Sequence, residues 1–214
     1  MNACKLQDRL YLGLGKSATR IGHLADAFRP AGPFHPLDRQ NRFLRLSASF
    51  VSTLGRFDQT NSYGDMLWSG IFDGSYTRAG DYLVVESGTF FIASQLPLLP
   101  ILCVKTNRVI SVAQPTMQTS IASNSYGGYT AGGSITLMDE WPASVLGENR
   151  AGRSSADLPT DQMIPYWEVL VPAPDGVLLT PGDVITDDLG RTAVVAGSEQ
   201  TNLGWRISAK VATT

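Results

Sequence analysis

Two cysteines and two histidines in 214 residues leave little from which to build a disulfide framework, a metal centre or an imidazole-driven active site. Cys4 stands near the N-terminus and Cys103 in an apolar run, with neither the paired spacing of zinc ligands nor the density of a disulfide scaffold, so both read as free thiols. His23 falls in a helical pattern and His35 among prolines, and no Gly-x-Ser-x-Gly elbow occurs, which argues against a Ser-His-acid hydrolase. Charged residues make up only 17% of the chain and the net charge is −2, too little charge for a disordered chain and the wrong sign for a basic nucleic-acid coat. Long apolar runs are missing too. None approaches the ~20 residues of a membrane span, and Lys5, Asp8 and Arg9 interrupt the apolar core that a secretory signal needs. The expectation is a protein made in the cytoplasm, with no membrane partner. Gly13-Leu14-Gly15-Lys16-Ser17 ends as a phosphate loop ends, but Leu10 occupies the place of that motif's first glycine and no strand precedes it, so no nucleotide or other cofactor is expected.

What the chain does contain is apolar material for a core, at 43%, together with 21 glycines and 12 prolines, a mixture that favours many short strands over long helices. Its charge is divided unevenly. Residues 1–60 carry nine Lys and Arg against four Asp, a net +5, and residues 61–214 carry eight against fifteen, a net −7. Such a split suits head-to-tail contact between copies of one protein, or a basic arm beside an acidic or phosphate-bearing partner.

Leu6, Leu10, Leu14, Ala18, Ile21, Leu24 and Phe28 recur at steps of three and four, which predicts a helix over residues 6–28. Pro30, Pro33 and Pro36 then end it and make an extended linker, so that residues 1–40 form an N-terminal helix and arm. Residues 43–51 and 66–72 read as strands, and 41–113 as a first small β-barrel unit finished by the apolar stretch 96–112. Residues 114–134 are almost wholly small and polar apart from Tyr126 and Tyr129, and with the irregular stretch 139–163 they make a loop segment, 114–164. Strands at 166–171 and 204–211 then bound a second hairpin or barrel unit over 165–214.

An internal echo links the two units. Gly80-Asp81 and Gly182-Asp183 each precede a short apolar strand, and Gly88 and Gly190 follow eight residues after the first glycine, ahead of a second apolar strand. Each copy reads as a β-hairpin of a small barrel, with the glycines supplying turn geometry. The expected class is mainly β: one or two small SH3- or OB-like β-barrels, an N-terminal helix and a Pro-rich linker. Asp139-Glu140 and Asp187-Asp188 are the carboxylate clusters, and strand alternation at the first and turn chemistry at the second argue against a catalytic pair or a metal site. Trp68, Trp167 and Trp205 lie in predicted strands as core or rim residues, whereas Trp141, beside the polar loop, is expected to be exposed and, with Tyr126 and Tyr129, to serve as an interface anchor.

Tyr63-Gly64 to Trp68, Phe72-Asp73-Gly74, Gly80-Asp81-Tyr82-Leu83, Gly88 to Ala93, Gln95 to Pro100, Asn107-Arg108-Val109 and the Gly182 to Trp205 segment resemble structural proteins encoded in tailed-phage and prophage genomes. The pattern is also similar to the small β-barrels of phage head-completion (stopper) and head-tail joining proteins, while the second barrel and the N-terminal helix depart from that family. The resemblance implies a non-enzymatic virion protein forming a homo-oligomeric ring in the neck, between a portal or adaptor protein and a tail or tail-terminator protein, with non-specific contact to packaged DNA. Alternatives are a tail-terminator or baseplate ring protein, a small β-rich hydrolase that uses carboxylates, and a host-surface binding module.

Overall fold

The computed structural model describes residues 3–52, 66–116, 133–148 and 166–212. Helix α1 (Ala3–Ile21) opens the chain. It turns Leu10, Leu14 and Ala18 toward the protein as the spacing requires, but Leu6 and Ile21 stay exposed. The helix also ends seven residues earlier than its periodicity suggests. Gly22 closes it with an N–H to Ala18 O bond of 2.8 Å, in a place where a Cβ would lie 2.6 Å from the carbonyl oxygens of Ala18 and Ala48. Beyond that pinch the chain is strand β1 (His23–Phe28), with Ala25 and Ala27 buried and Asp26 outside. A stretch this short satisfies helical and strand periods alike, and pairing with its neighbours decided between them.

The remaining strands are β2 (Arg42–Ser52), β3 (Leu67–Ile71), β4 (Tyr82–Val85), β5 (Gly88–Ser94), β6 (Ile101–Lys105), β7 (Arg108–Pro115), β8 (Ser134–Glu148), β9 (Tyr166–Val171), β10 (Val184–Asp187), β11 (Thr192–Thr201) and β12 (Gly204–Val211). They close into two barrels, β1-β2-β3-β6-β5-β4 and β7-β8-β9-β12-β11-β10, with every neighbouring pair antiparallel. Residues 139–148 are therefore strand, not irregular chain. The strand at 108–115 opens the second barrel instead of finishing the first, because only two residues, Thr106 and Asn107, separate it from β6.

The strand order of the two barrels is identical, so the repeat spans whole barrels and not the hairpins alone. Equivalent residues follow from the pairing. Trp68 faces Cys103 as Trp167 faces Ala209, and Phe28 faces Tyr82 as Ala113 faces Val184. Both barrels carry a β-bulge at the same place, between Ile92 and Ser94 and between Val195 and Gly197, where each chain bends to close its barrel. The hairpin turns differ. Gly88 directly pairs Val85 in the first barrel, while in the second Thr186 pairs Thr192 around a longer turn that contains Gly190.

Burial patterns of the paired copies diverge for a reason of position. In β4 and β5, Leu83, Phe90 and Ile92 fill the first barrel, and Tyr82 and Phe91 on the opposite face join the core of the second. Both faces are covered, so the run reads as continuously apolar. In β10 and β11 Ile185, Ala193 and Val195 are the buried apolar residues, with Asp187 buried beside them, while Thr186 and Val194 meet solvent, and the sequence alternates.

Candidate functional site

Groups from both barrels converge along the seam between them, which residues 29–41 cross as a strap. Arg29 leaves β1 and directs its guanidinium to Asp81, with Nε to Oδ1 at 2.9 Å and Nη2 to Oδ2 at 2.7 Å, while donating also to the Tyr76 carbonyl and lying 4.4 Å from the Phe43 ring centroid. Hydrogen bonding to Asp81 raises the Arg29 pKa above its ordinary value, so the guanidinium stays charged. Further along, Phe34 bridges to Asp139 as in a parallel strand pair, His35 N donates to Asp139 O at 3.0 Å and Asp139 N to Pro33 O at 3.1 Å. Asn41, buried, donates its amide to the carbonyls of His35 and Pro36 and ties off the strap's far end.

Trp141 is held here, and it is not exposed. Its side chain is 1% accessible, its Nε1–H donates to Pro33 O at 2.6 Å, and its ring meets that of Tyr82 edge-on at 6.0 Å. The expectation of a surface anchor is overturned because β8 continues through residue 141 and the strap folds over it. Tyr82 in turn donates its hydroxyl to Pro142 O at 2.7 Å, and complete burial raises its pKa well above the ordinary value. Tyr126 and Tyr129 lie outside the described residues.

His35 sits on this seam between two carboxylates. Its Nδ1 is 2.9 Å from Glu140 Oε2 and its Nε2 3.8 Å from Asp139 Oδ2, and the Glu140 hydrogen bond, followed by the nearby negative charges, raises its pKa above the ordinary value. Both His35 and Glu140 hold positive φ, at 47° and 54°, a conformation that ordinary side chains adopt only under restraint. Asp139 accepts from Ser111 Oγ at 2.6 Å. Beside these residues a groove of about 320 Å³ runs between Arg29, Gly32, Arg78, Asp81, Trp141 and Asp175.

Gly80-Asp81 and Gly182-Asp183 are brought to equivalent places in separate barrels and not to one cleft, whereas Gly88 and Gly190 are not equivalent, since Val84 pairs Thr89 where Thr186 pairs Thr192. Gly80 and Gly182 adopt φ of +91° and +100°, and Asp81 and Asp183, each 1% exposed, accept from the backbone N–H three residues upstream, Arg78 at 2.9 Å and Thr180 at 2.7 Å. Each carboxylate closes its own turn. Among the described residues only Asp81 of the two has a cationic partner. Asp187 is also turn chemistry: burial opposes its ionisation, but hydrogen bonds from the Arg191 side chain and from the backbone N–H groups of Arg191 and Leu189 outweigh this and lower its pKa. Cys103 is buried, and burial pushes its thiol far above the ordinary range. Among the described residues no three His, Cys, Asp or Glu side chains gather as metal ligands, and no helix is long and apolar enough to cross a membrane.

Sequence reasoning missed the Arg29–Asp81 pair and the His35 clasp, neither of which has a local signature. It also missed a longer echo that was there to be read: Asp73-Gly74 and Asp175-Gly176 precede Gly80-Asp81 and Gly182-Asp183 at the same spacing. No protein-family model, curated protein or solved structure matches the chain.

Proposed function

We propose that this chain is a structural subunit of a tailed-bacteriophage virion that assembles as a ring in the neck, joining head to tail or closing the DNA-filled head. What supports the reading is the clamped pair of barrels. Two closed units of one strand order are locked by the strap, by Tyr82 and by a shared core into one block, the sort of stiff wedge from which a ring of defined circumference is made. Its buried carboxylates at positions 81, 183 and 187 serve turns, a role that asks no turnover of them. On this reading the protein is not an enzyme, and its neighbours are further copies of itself, a portal or adaptor protein on the head side and a tail or tail-terminator protein on the other, with DNA passing through the ring.

Electron microscopy of a lysate from a phage in which this gene is interrupted tests it. Filled or leaking heads beside separate tails of normal length are expected. Over-long tails would move the protein to the tail terminator, and intact virions in normal number would sink the connector reading.

A further inference from the structure

The barrels share a strand order but not a cover. Helix α1 lies on the first barrel, where Gln95 Nε2 donates to the Tyr11 hydroxyl at 3.2 Å, Leu98 N donates to Gln7 Oε1 at 2.6 Å, and Tyr11 and Gly15 pack beside Gly74 and Asp73. By strand pairing Ser198 is the counterpart of Gln95, since Gly197 faces Ser208 as Ser94 faces Leu102. No helix covers that place on the second barrel among the described residues. Among the described residues an open groove of about 410 Å³ is found there, lined by Trp167, Ser198, Glu199 and the ion pair of Arg206 with Glu168 at 2.6 Å.

The outer face of α1 is chemically matched to it. Lys5, Arg9, Lys16 and Arg20 are all exposed and, at 100° per residue, fall in one stripe opposite Tyr11, Leu14 and Ala18. None of the four pairs with a carboxylate among the described residues. Leu6 and Leu12 flank the stripe at 41% and 55% exposure. Over residues 3–21 four cations stand against one Asp, a net +3, whereas the described part of the second barrel has four Lys and Arg against nine Asp and Glu, a net −5.

We infer that the cationic outer face of α1 in one molecule docks in the second-barrel groove of another copy of this chain. The pair of leucines beside the cations favours a protein partner over a phosphate backbone, and the open counterpart of α1's own seat, with Glu199 on its lining and a net −5 on its barrel, is carried by every copy. Because helix and groove are different surfaces, the contact is head-to-tail and repeats until it closes. The inference rests on the ring reading for its closure, but the contact itself does not need it.

Sedimentation velocity of the full chain at low and high salt, with Arg9→Glu, Glu199→Lys and their equimolar mixture, tests the docking. The wild type is expected to self-associate at low salt, each variant to associate about tenfold more weakly, and the mixture to recover to within about threefold, because the unaltered helix of Glu199→Lys then meets the unaltered groove of Arg9→Glu. Unchanged circular dichroism confirms that both variants fold. A wild type that stays monomeric to several hundred micromolar overturns the inference, as does association that neither variant weakens. So does retained self-association in Arg9→Glu together with lost binding to a short DNA duplex, which would assign the stripe to phosphates. Negative-stain images separate this contact from the ring: closed rings that persist in Arg9→Glu sink the docking and leave the ring, while open filaments that Arg9→Glu dissolves support the docking and count against the ring.

Discussion

Arg29 and Asp81 stand at the ends of two strands that neighbour each other in the first barrel, and they form a two-pronged ion pair in which the carboxylate is 1% and the guanidinium 34% exposed. Since Asp81 also accepts from Arg78 N, it joins the turn before β4 to the start of the strap. The equivalent Asp183 closes its turn through Thr180 alone among the described residues.

That asymmetry predicts unequal costs. Arg29→Ala takes the two-pronged partner from a buried carboxylate, leaving it the Arg78 N–H and the Arg78 guanidinium 4.0 Å away, and is expected to destabilise the protein by about 3 kcal/mol, the low end for a buried pair. Asp183→Asn, which weakens hydrogen bonds without stranding a cation, should cost about 1–2 kcal/mol. Urea denaturation of both variants measures the difference, and equal costs would show that the guanidinium contributes nothing at the seam.

The His35 clasp sets a pH dependence with a definite sign. Its pKa is raised in the folded protein, so the contribution is fully present below the unfolded value of about 6.5 and is lost as pH rises through the folded value. Asp187 acts at the other end. Its lowered pKa gives stability present above the unfolded value of about 3.9 and lost as pH falls through the folded value. Thermal unfolding of wild type and His35→Gln should differ most near pH 5.5–6 and converge toward pH 8; a difference that grows with pH contradicts the clasp. Asp187→Asn is expected to flatten the acid limb only.

Trp141 has two separable roles. Trp141→Phe keeps most of the ring against Tyr82 but loses the bond to Pro33 O, and should cost about 1–2 kcal/mol while raising amide exchange in residues 33–41. Trp141→Ala also empties a core site and should cost about 3–5 kcal/mol. If Trp141→Phe leaves exchange in the strap unchanged, the indole bond is not what holds it down.

Glycine positions divide by cause. At Gly80 and Gly182 a Cβ would meet nothing within 4 Å, so Gly→Ala there carries only the strain of positive φ, about 1–2 kcal/mol. At Gly22 the same change drives a Cβ into the carbonyls of Ala18 and Ala48. Those atoms are backbone and can yield only if α1 lifts from β2. Gly22→Ala is therefore expected to lower the melting temperature more than Gly182→Ala and to expose α1 to protease; equal effects would mean that helix and strand part at no cost.

The strands at 43–51, 66–72, 166–171 and 204–211 were legible because each has a local pattern of alternation or an apolar run between turn signals. The Gly-Asp turns were legible because positive φ calls for glycine and a short carboxylate suits the backbone N–H beside it. The strand at 23–28 was not, since its apolar positions also continue the helix before it. Trp141 was misjudged because its neighbours in sequence are polar while its neighbours in space are Tyr82 and Pro33. Of the candidate site, the turn residues were visible and the seam was not.

Local sequence by itself determined a mainly β chain with one helix, two related Gly-Asp hairpins and an uneven division of charge, because propensity, periodicity and turn chemistry act over a few residues. Tertiary structure alone decided that each hairpin belongs to a whole repeated barrel, that Tyr82 and Phe91 face a second core, and that Arg29 and His35 fasten a strap. Those outcomes depend on which surfaces meet across 52 to 105 positions of chain, as the spacings of Arg29 to Asp81 and His35 to Glu140 show, and no local pattern encodes such a meeting.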